Sequence, residues 1–487
     1  MNYFDLYSSY PDHAVTAAWE SQLTDAAETP WLEKLLLERA GEFFPRFATC
    51  YRELRALPRG TRRKLQRRLA QSDSLLTARF SEWFQAPGWP SLQHKLACSL
   101  AGAALLMTLS QGVAAAATIS VTTRETRVRP DGQCSLIEAI VNANADAAVF
   151  SDCPAGDGAD TIVLPARANL GVKDVYDDTY GSTGLPLITS TITIDGKDAR
   201  IRRQGGAPIR LFGVSKTGNL TIQNVEVSHG SSYSGGGILN NGTLAIRNST
   251  ISGNSGNAAV LNQATLTIEN STISGNEVGV QNGGRGPSYS PSSVSSLKPG
   301  AACFYSYISY WYYYYGVVSC QYIYSGALTI TNSTISRNSG VGIWNHSGTV
   351  TIGNNTNISR NKGGGAFNSG GVVDFYGKYV PAGDMSIIDS TISKNSAPRG
   401  GGIFNGGIFT IENSVISENK ADDDGGGIFN ARNYNNAPAG DLSLLDTTIS
   451  ENRARDSGGG VFNEGSLVMS DTVISGNKAR TGANVFP

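Results

Sequence analysis

Histidine is almost missing from this chain, with four in 487 residues. His229 and His346 stand alone in the sequence, so no imidazole-based metal centre is expected. Charge is scarce as well. Asp, Glu, Lys and Arg make up 16% of residues and the formal net charge is −1. No overall field favours nucleic acid, and residues 118–487 are not expected to bind it. A membrane-spanning run is lacking too, because the apolar core of residues 96–109 falls short of the roughly 20 residues that a transmembrane helix needs. No calcium-binding nonapeptide repeat is present, and no cofactor is expected. Calcium remains a secondary possibility at Asp174, Asp177 and Asp178, three acids of one loop for which plain solvation is the preferred reading.

Glycine is what the chain has in quantity, 57 residues of it, and much of it sits in one recurring phrase. Residues 235–254 read Gly-Gly-Gly-Ile-Leu-Asn-Asn-Gly-Thr-Leu-Ala-Ile-Arg-Asn-Ser-Thr-Ile-Ser-Gly-Asn. The closing Asn returns at 276, 338, 361, 395, 419, 452 and 477, and the shortest step is 22 residues. A second column holds Asn240, Asn262, Asn282, Asn345, Asn368, Asn405, Asn430 and Asn463. A third holds Asn248, Asn270, Asn332, Asp389, Asn413, Asp446 and Asp471. Self-similarity at this period marks a solenoid. Leu244 and Ile246 alternate with Ala245 and Arg247, which is strand periodicity. At about 3.3 Å per residue, one unit makes three short strands and three turns, the coil of a β-helix. Leucine-rich and propeller repeats fit neither the spacing nor the length. Inward Ile, Leu, Val and Phe are expected to stack on their equivalents one coil away. The Asn columns are read as structural: turn residues that tolerate left-handed backbone and whose amides form a ladder.

The first 95 residues read differently. Residues 31–44 are rich in Leu and Glu at helical spacing, and in the basic stretch 46–68 Glu53 is the only acid. A short helical leader is expected. Its cationic face suits nucleic acid or anionic lipid, but a positive flank for the next segment is preferred. That segment, residues 96–117, has Lys95 before it, a short apolar core and Ala114 to Ala117 after it, the signature of a secretory signal cut near Ala115 to Ala117. An uncleaved signal anchor is the alternative. Membrane contact is expected only through 96–117. Cysteines fall into three local pairs, Cys50 with Cys98, Cys134 with Cys153 and Cys303 with Cys320. The last two bracket loops downstream of the signal and are expected as disulfides.

Residues 118–165 are expected to cap the solenoid. Leu136, Ile137, Ile140 and Val141 lie on one helical face that can cover the open end of the coils. The run Cys134-Ser135-Leu136-Ile137-Glu138-Ala139, with Gly158-Ala159-Asp160-Thr161-Ile162-Val163 after it, resembles the Cys-Ser-Leu-Arg-Glu-Ala motif region of bacterial secreted β-helix proteins, with Ile137 in place of Arg. Gly-Gly-Gly-Ile-Phe-Asn at 400–405 and 425–430 resembles the repeats of polymorphic outer-membrane proteins. The resemblance spans about 118–487 and implies fold and export. It implies no activity, because the group shares no catalytic motif. The expected class is all-β: a right-handed parallel β-helix of the pectin-lyase-like kind over 166–487, with an N-terminal capping helix and a helical leader. The expected location is secreted, or the cell surface or outer membrane of a bacterium.

Insertions interrupt the coils, the longest at 284–325. It is read as a hairpin closed by Cys303 and Cys320 and carrying Tyr310, Trp311, Tyr312, Tyr313, Tyr314 and Tyr315. These rings suit sugar faces, or they pack on the solenoid flank; both readings stand. Parallel β-helices also host polysaccharide lyases and hydrolases. Hydrolysis asks for paired carboxylates and a lyase for a calcium-binding acidic cluster with an Arg or Lys base; the one dense acidic run is Asp422, Asp423 and Asp424, with Arg399 or Arg432 as weak candidate lyase bases. The Gly-His-Gly of polygalacturonases is missing; Ser228-His229-Gly230 stands nearest to it. The preferred reading is therefore an adhesin-like or glycan-binding module without catalysis, whose partner is a cell-surface or environmental glycan, or a host or neighbouring cell surface. The alternatives are a polysaccharide lyase or glycoside hydrolase, and a structural surface-layer component. Self-association is expected through the last coil, where Val485 and Phe486 leave an edge unpaired.

Overall fold

A computed structural model describes residues 116–289, 301–310, 313–373, 379–432 and 439–487, with residues 285–323 and 372–380 described by backbone alone. The chain divides between Ala115 and Ala116. The expected leader, Cys50, Cys98 and nearly all of 96–117 lie outside the described residues.

The described chain is a right-handed parallel β-helix. One coil consists of Ile238–Asn240, Thr243–Arg247 and Thr250–Ser252. Each strand pairs in parallel with its equivalent in the next coil, Val260–Asn262, Thr265–Glu269 and Thr272–Ser274. The first strands of the coils form a ten-stranded sheet from Phe212–Val214 to Val485–Phe486. The other two columns join into one sheet, because Thr191–Arg203 and Asn219–Ser228 run through the corner without a break. Repeating residues pair with repeating residues: Ile251 with Ile273, Ile273 with Ile335, and Ile335 with Ile358. A slip of one residue would turn every inward side chain outward.

Ile238, Leu244, Ile246 and Ile251 are completely buried and their counterparts stay buried as far as Val461, whereas in the last coil Leu467 and Ile474 are half-buried and Met469 is 46% exposed. The expectation of inward Phe holds for Phe212 and Phe409. It fails for the Phe of the Ile-Phe-Asn strands. In Ile403–Asn405 both Ile403 and Asn405 are fully buried, so the strand's period of two drives Phe404 outward.

The Asn columns also divide the work differently from the sequence reading. Asn240, Asn262, Asn282, Asn345, Asn368, Asn405 and Asn430 are wholly buried. Each Nδ2 donates to the Oδ1 one coil on, at 2.7 Å for Asn240 to Asn262, 3.0 Å for Asn368 to Asn405 and 2.7 Å for Asn430 to Asn463. Asn405 Oδ1 also accepts from the Gly407 amide at 3.0 Å, which tightens the corner. A second buried ladder runs from Asn254 through Asn276 to Asn477, with rungs of 3.1 Å at Asn254 and 3.0 Å at Asn452. None of these residues has positive φ. Left-handed backbone belongs to the exposed column Asn248, Asn270, Asn332, Asp389, Asn413, Asp446 and Asp471, and to the residue before the second ladder, for example Arg337, Lys394 and Glu418.

The capping helix α1 is Leu136–Ala145. Ser135 caps it, and Glu138 returns the bond through Oε2 to the Ser135 amide at 2.9 Å while Oε1 accepts from Arg129 N at 3.0 Å. Glu138 is buried because both oxygens are used. Leu136, Ile137, Ala139, Ile140 and Ala143 are buried, whereas Val141 of the expected face is only half-buried. The helix packs on Thr118–Ser120, Asp160–Val163 and Thr191–Arg203. A disulfide joins Cys134 to Cys153 with Cα atoms 4.7 Å apart.

Two stability predictions follow from this packing. Asn405→Ala strands partners on both neighbouring coils and should cost about 3 kcal/mol, against no more than ~0.5 kcal/mol for Asn413→Gly at an exposed left-handed position; urea unfolding compares them. Equal losses would mean that the buried amides carry no special weight. Replacing Cys134 and Cys153 by Ser should cost about 3 kcal/mol for a loop with a sequence separation of 19, measured in the same way.

Candidate functional site

The outward position of each three-residue strand forms its own column. It begins with Leu239, Leu261 and Gln281, which are covered, and continues as Trp344, Phe367, Phe404, Phe429, Phe462 and Phe486. Coil spacing of about 4.8 Å suits stacked rings. Phe367 and Phe404 lie 4.5 Å apart between centroids with planes 3° from parallel. The next steps are 5.3 Å to Phe429, 5.0 Å to Phe462 and 5.3 Å to Phe486. Trp344 meets Phe367 edge-on at 5.5 Å, stacks on His346 at 5.7 Å and donates from Nε1 to Ser369 Oγ at 3.2 Å. The Arg399 guanidinium lies 5.5 Å from the Phe429 centroid, and Phe429 is buried while the other five rings are half-exposed. The result is a linear apolar stripe on the order of 24 Å long, five coil steps. Sequence reasoning missed it, although Ile-Phe-Asn between two inward positions contains the signal.

All three insertions leave the solenoid at one corner. They follow Asn282, Asn368 and Asn430, the residues that close the stripe-bearing strands of every second coil. In the coils between, Asn345 and Asn405 lead directly to Gly348 and Ile408. The points of departure are therefore spaced by two coils, roughly 9.6 Å, and those after Asn368 and Asn430 lie beside the stripe. In the longest, Ala301–Tyr310 pairs antiparallel with Tyr313–Tyr324, which also pairs with Gly284–Tyr289. Register sets Cys303 opposite Cys320 and Tyr310 opposite Tyr313. Trp311 and Tyr312 lie outside the described residues, as do the side chains of both cysteines and of Tyr310, Tyr313, Tyr314 and Tyr315.

Each acid of the run has a partner of its own. Asp422 Oδ1 lies 3.5 Å from Lys420 Nζ, Asp423 lies 3.5 Å from Arg455, and Asp424 accepts from the Ser457 amide at 3.0 Å. Arg432, 4.0 Å from Glu464, follows the strand Ile428–Asn430 that the acids precede. Asp177 accepts from Thr179 N at 3.0 Å, and Asp174 meets Arg127 at 3.6 Å. Among the described residues no three His, Cys, Asp or Glu side chains are grouped to hold a metal. The loop carrying these acids is held by Arg210, wholly buried, whose guanidinium donates to the Ser234 and Tyr180 carbonyls at 2.7 and 3.2 Å. Burial pulls its pKa down to about 10, opposed by Asp177. A separate polar groove of about 630 Å³, lined by Asn354, Asn355, Asn357, Asp389 and Asn413, lies at another corner and offers no aromatic face.

Because Arg210 has a lower pKa folded than unfolded, its burial costs stability throughout the range below about 10 and the cost fades only as pH rises through that value. Arg210→Ala should still destabilise, by about 3 kcal/mol, because the carbonyls of Tyr180 and Ser234 lose their donor. Thermal unfolding at neutral pH checks this.

A family model described as right handed beta helix region matches residues 184–298. No curated protein matches the chain. Among solved structures, the A-module of the Azotobacter vinelandii mannuronan C-5 epimerase AlgE6 is similar at 13% identity and a TM-score of 0.37, over 70% of this chain and 95% of that one. The family model names the architecture described above, a right-handed β-helix.

Proposed function

We propose that the chain is an exported, non-catalytic glycan-binding repeat protein whose binding surface is the stripe from Trp344 to Phe486. The observation that carries this reading is the row of half-exposed, coil-spaced rings. The rings stack face to face along the column and turn their edges outward, so the exposed surface is a straight apolar row on which the C–H groups of a linear polysaccharide can pack. Low charge suits a neutral or weakly charged chain. The Cys134–Cys153 disulfide supports an oxidising compartment, at the cell surface or beyond it. The lyase or hydrolase reading is weaker, because Asp422, Asp423 and Asp424 are each engaged by a cation or an amide.

Glycan-array screening of the purified chain, followed by calorimetry on the best polysaccharide, tests the proposal. Phe404→Ala with Phe462→Ala should weaken binding at least tenfold, about 1.4 kcal/mol. Val468→Ala, exposed on another sheet, should leave it unchanged. Unaltered affinity in the double variant, or depolymerisation of the polysaccharide, would overturn it.

A further inference from the structure

At the capped end, one carboxylate is buried without enough donors. Asp160 opens the strand Asp160–Val163 and is 1% exposed. Oδ1 accepts from the amides of Ala117 at 3.1 Å and Asp157 at 2.9 Å. Oδ2 is buried with no hydrogen-bond partner. Burial pushes its pKa up, and the charged groups that act on it, Asp146 and Asp157, are both acidic and add to the rise. Asp146 is itself occupied, accepting from the Gly158 amide at 2.8 Å. A buried carboxylate with an orphaned oxygen and acidic neighbours calls for a cation with several donors.

The register identifies the group at hand. Thr118–Ser120 pairs in parallel with this strand, Thr118 level with Thr161. Ala117 is therefore level with Asp160, and its nitrogen already faces the carboxylate. As a peptide amide that nitrogen has one hydrogen and no charge. As a chain terminus it would have three hydrogens and a positive charge.

We infer that the chain is cut between Ala116 and Ala117, and that the α-ammonium created at Ala117 is anchored by Asp160. In this hydrolysis water adds across the Ala116–Ala117 bond. Ala116 leaves as a carboxylate on the released leader, and the amine of Ala117 takes up a proton. One N–H keeps the bond to Oδ1, and the others bring donors and charge to the side of Oδ2. Ala116 is exposed and Ala117 half-buried, so the scissile bond lies at the margin of the folded unit, next to the division after Ala115. The small residues needed before a signal cut are Ala114 and Ala116. A cut one residue later satisfies the same sequence rule with Ala115 and Ala117, but it discards the nitrogen that faces Asp160. The fold thus discriminates between two sites that the alanine run leaves equivalent. This inference stands independently of the glycan reading.

The test begins with the full chain expressed in a bacterium and the exported protein analysed by mass spectrometry of its first peptide. The expected start is Ala117; a start at Thr118 or beyond, or a retained leader, overturns the inference. The mature protein is then acylated at its α-amine. Folded protein should react at least tenfold more slowly than the same chain in urea, and equal rates would show an unanchored terminus. Acetylation should lower Tm by several degrees in the wild type and by much less in Asp160→Asn, since the pair is then already broken. An equal drop in both would overturn the pairing. If Asp160→Asn fails to fold, the acylation rate of the wild type decides.

Discussion

Buried asparagine amides hydrogen-bonded from coil to coil are the interaction on which the architecture rests. Strands of three residues, such as Ile403–Asn405, carry too few backbone bonds to fix their register alone. The side-chain ladder adds a rung per coil at the same corner, in a site from which water is excluded, where leaving an amide unpaired is costly. Once each Asn must sit over the last, the residue before it faces out in every coil and the residue before that faces in. A one-dimensional array of this kind turns each sequence column into a surface stripe. The aromatic row from Trp344 to Phe486 is the outward stripe produced by the inward ladder.

The same ladder explains where the chain tolerates extra residues. Asn282 and Asn345 are 63 residues apart in sequence, yet Nδ2 of one donates to Oδ1 of the other at 3.0 Å, as between adjacent uninterrupted coils. The rung is made before the chain departs, so the length of the excursion does not disturb the stack. All three excursions follow a ladder Asn. None interrupts the corner after Ile251 and its equivalents, where the second ladder takes over. The three excursions thereby leave the coils at one and the same corner.

Much of this was legible in the sequence. The repeat period gives the coil, and Ile alternating with small polar residues gives its inward face. Cys-Ser-Leu-Ile-Glu-Ala gives a cap that the structure builds from the Ser135–Glu138 capping box. The orientation of Phe404 and its equivalents was not read, because Ile and Phe are adjacent and both apolar; only the buried Asn405 decides which of them turns outward. Left-handed turns, the commonest use of Asn, fall to the exposed column of Asn248 and its equivalents and to residues such as Arg337, while the two buried Asn columns carry the ladders alone. The density of Tyr at 310–315 drew attention to the hairpin, while the sparser aromatics, one per coil, form the continuous stripe. Asp160 gave no signal at all, since its significance lies in what Ala117 brings to it.

The central claim is that the outward aromatic stripe, and not the solenoid interior or the acidic turn, is where the protein meets its ligand. Fluorine NMR of protein labelled with fluorophenylalanine observes both sets of rings at once during titration with a bound polysaccharide. The account predicts shifts for Phe367, Phe404, Phe462 and Phe486, with Phe212 and Phe409 unmoved. Saturable binding that leaves the stripe resonances in place would contradict it.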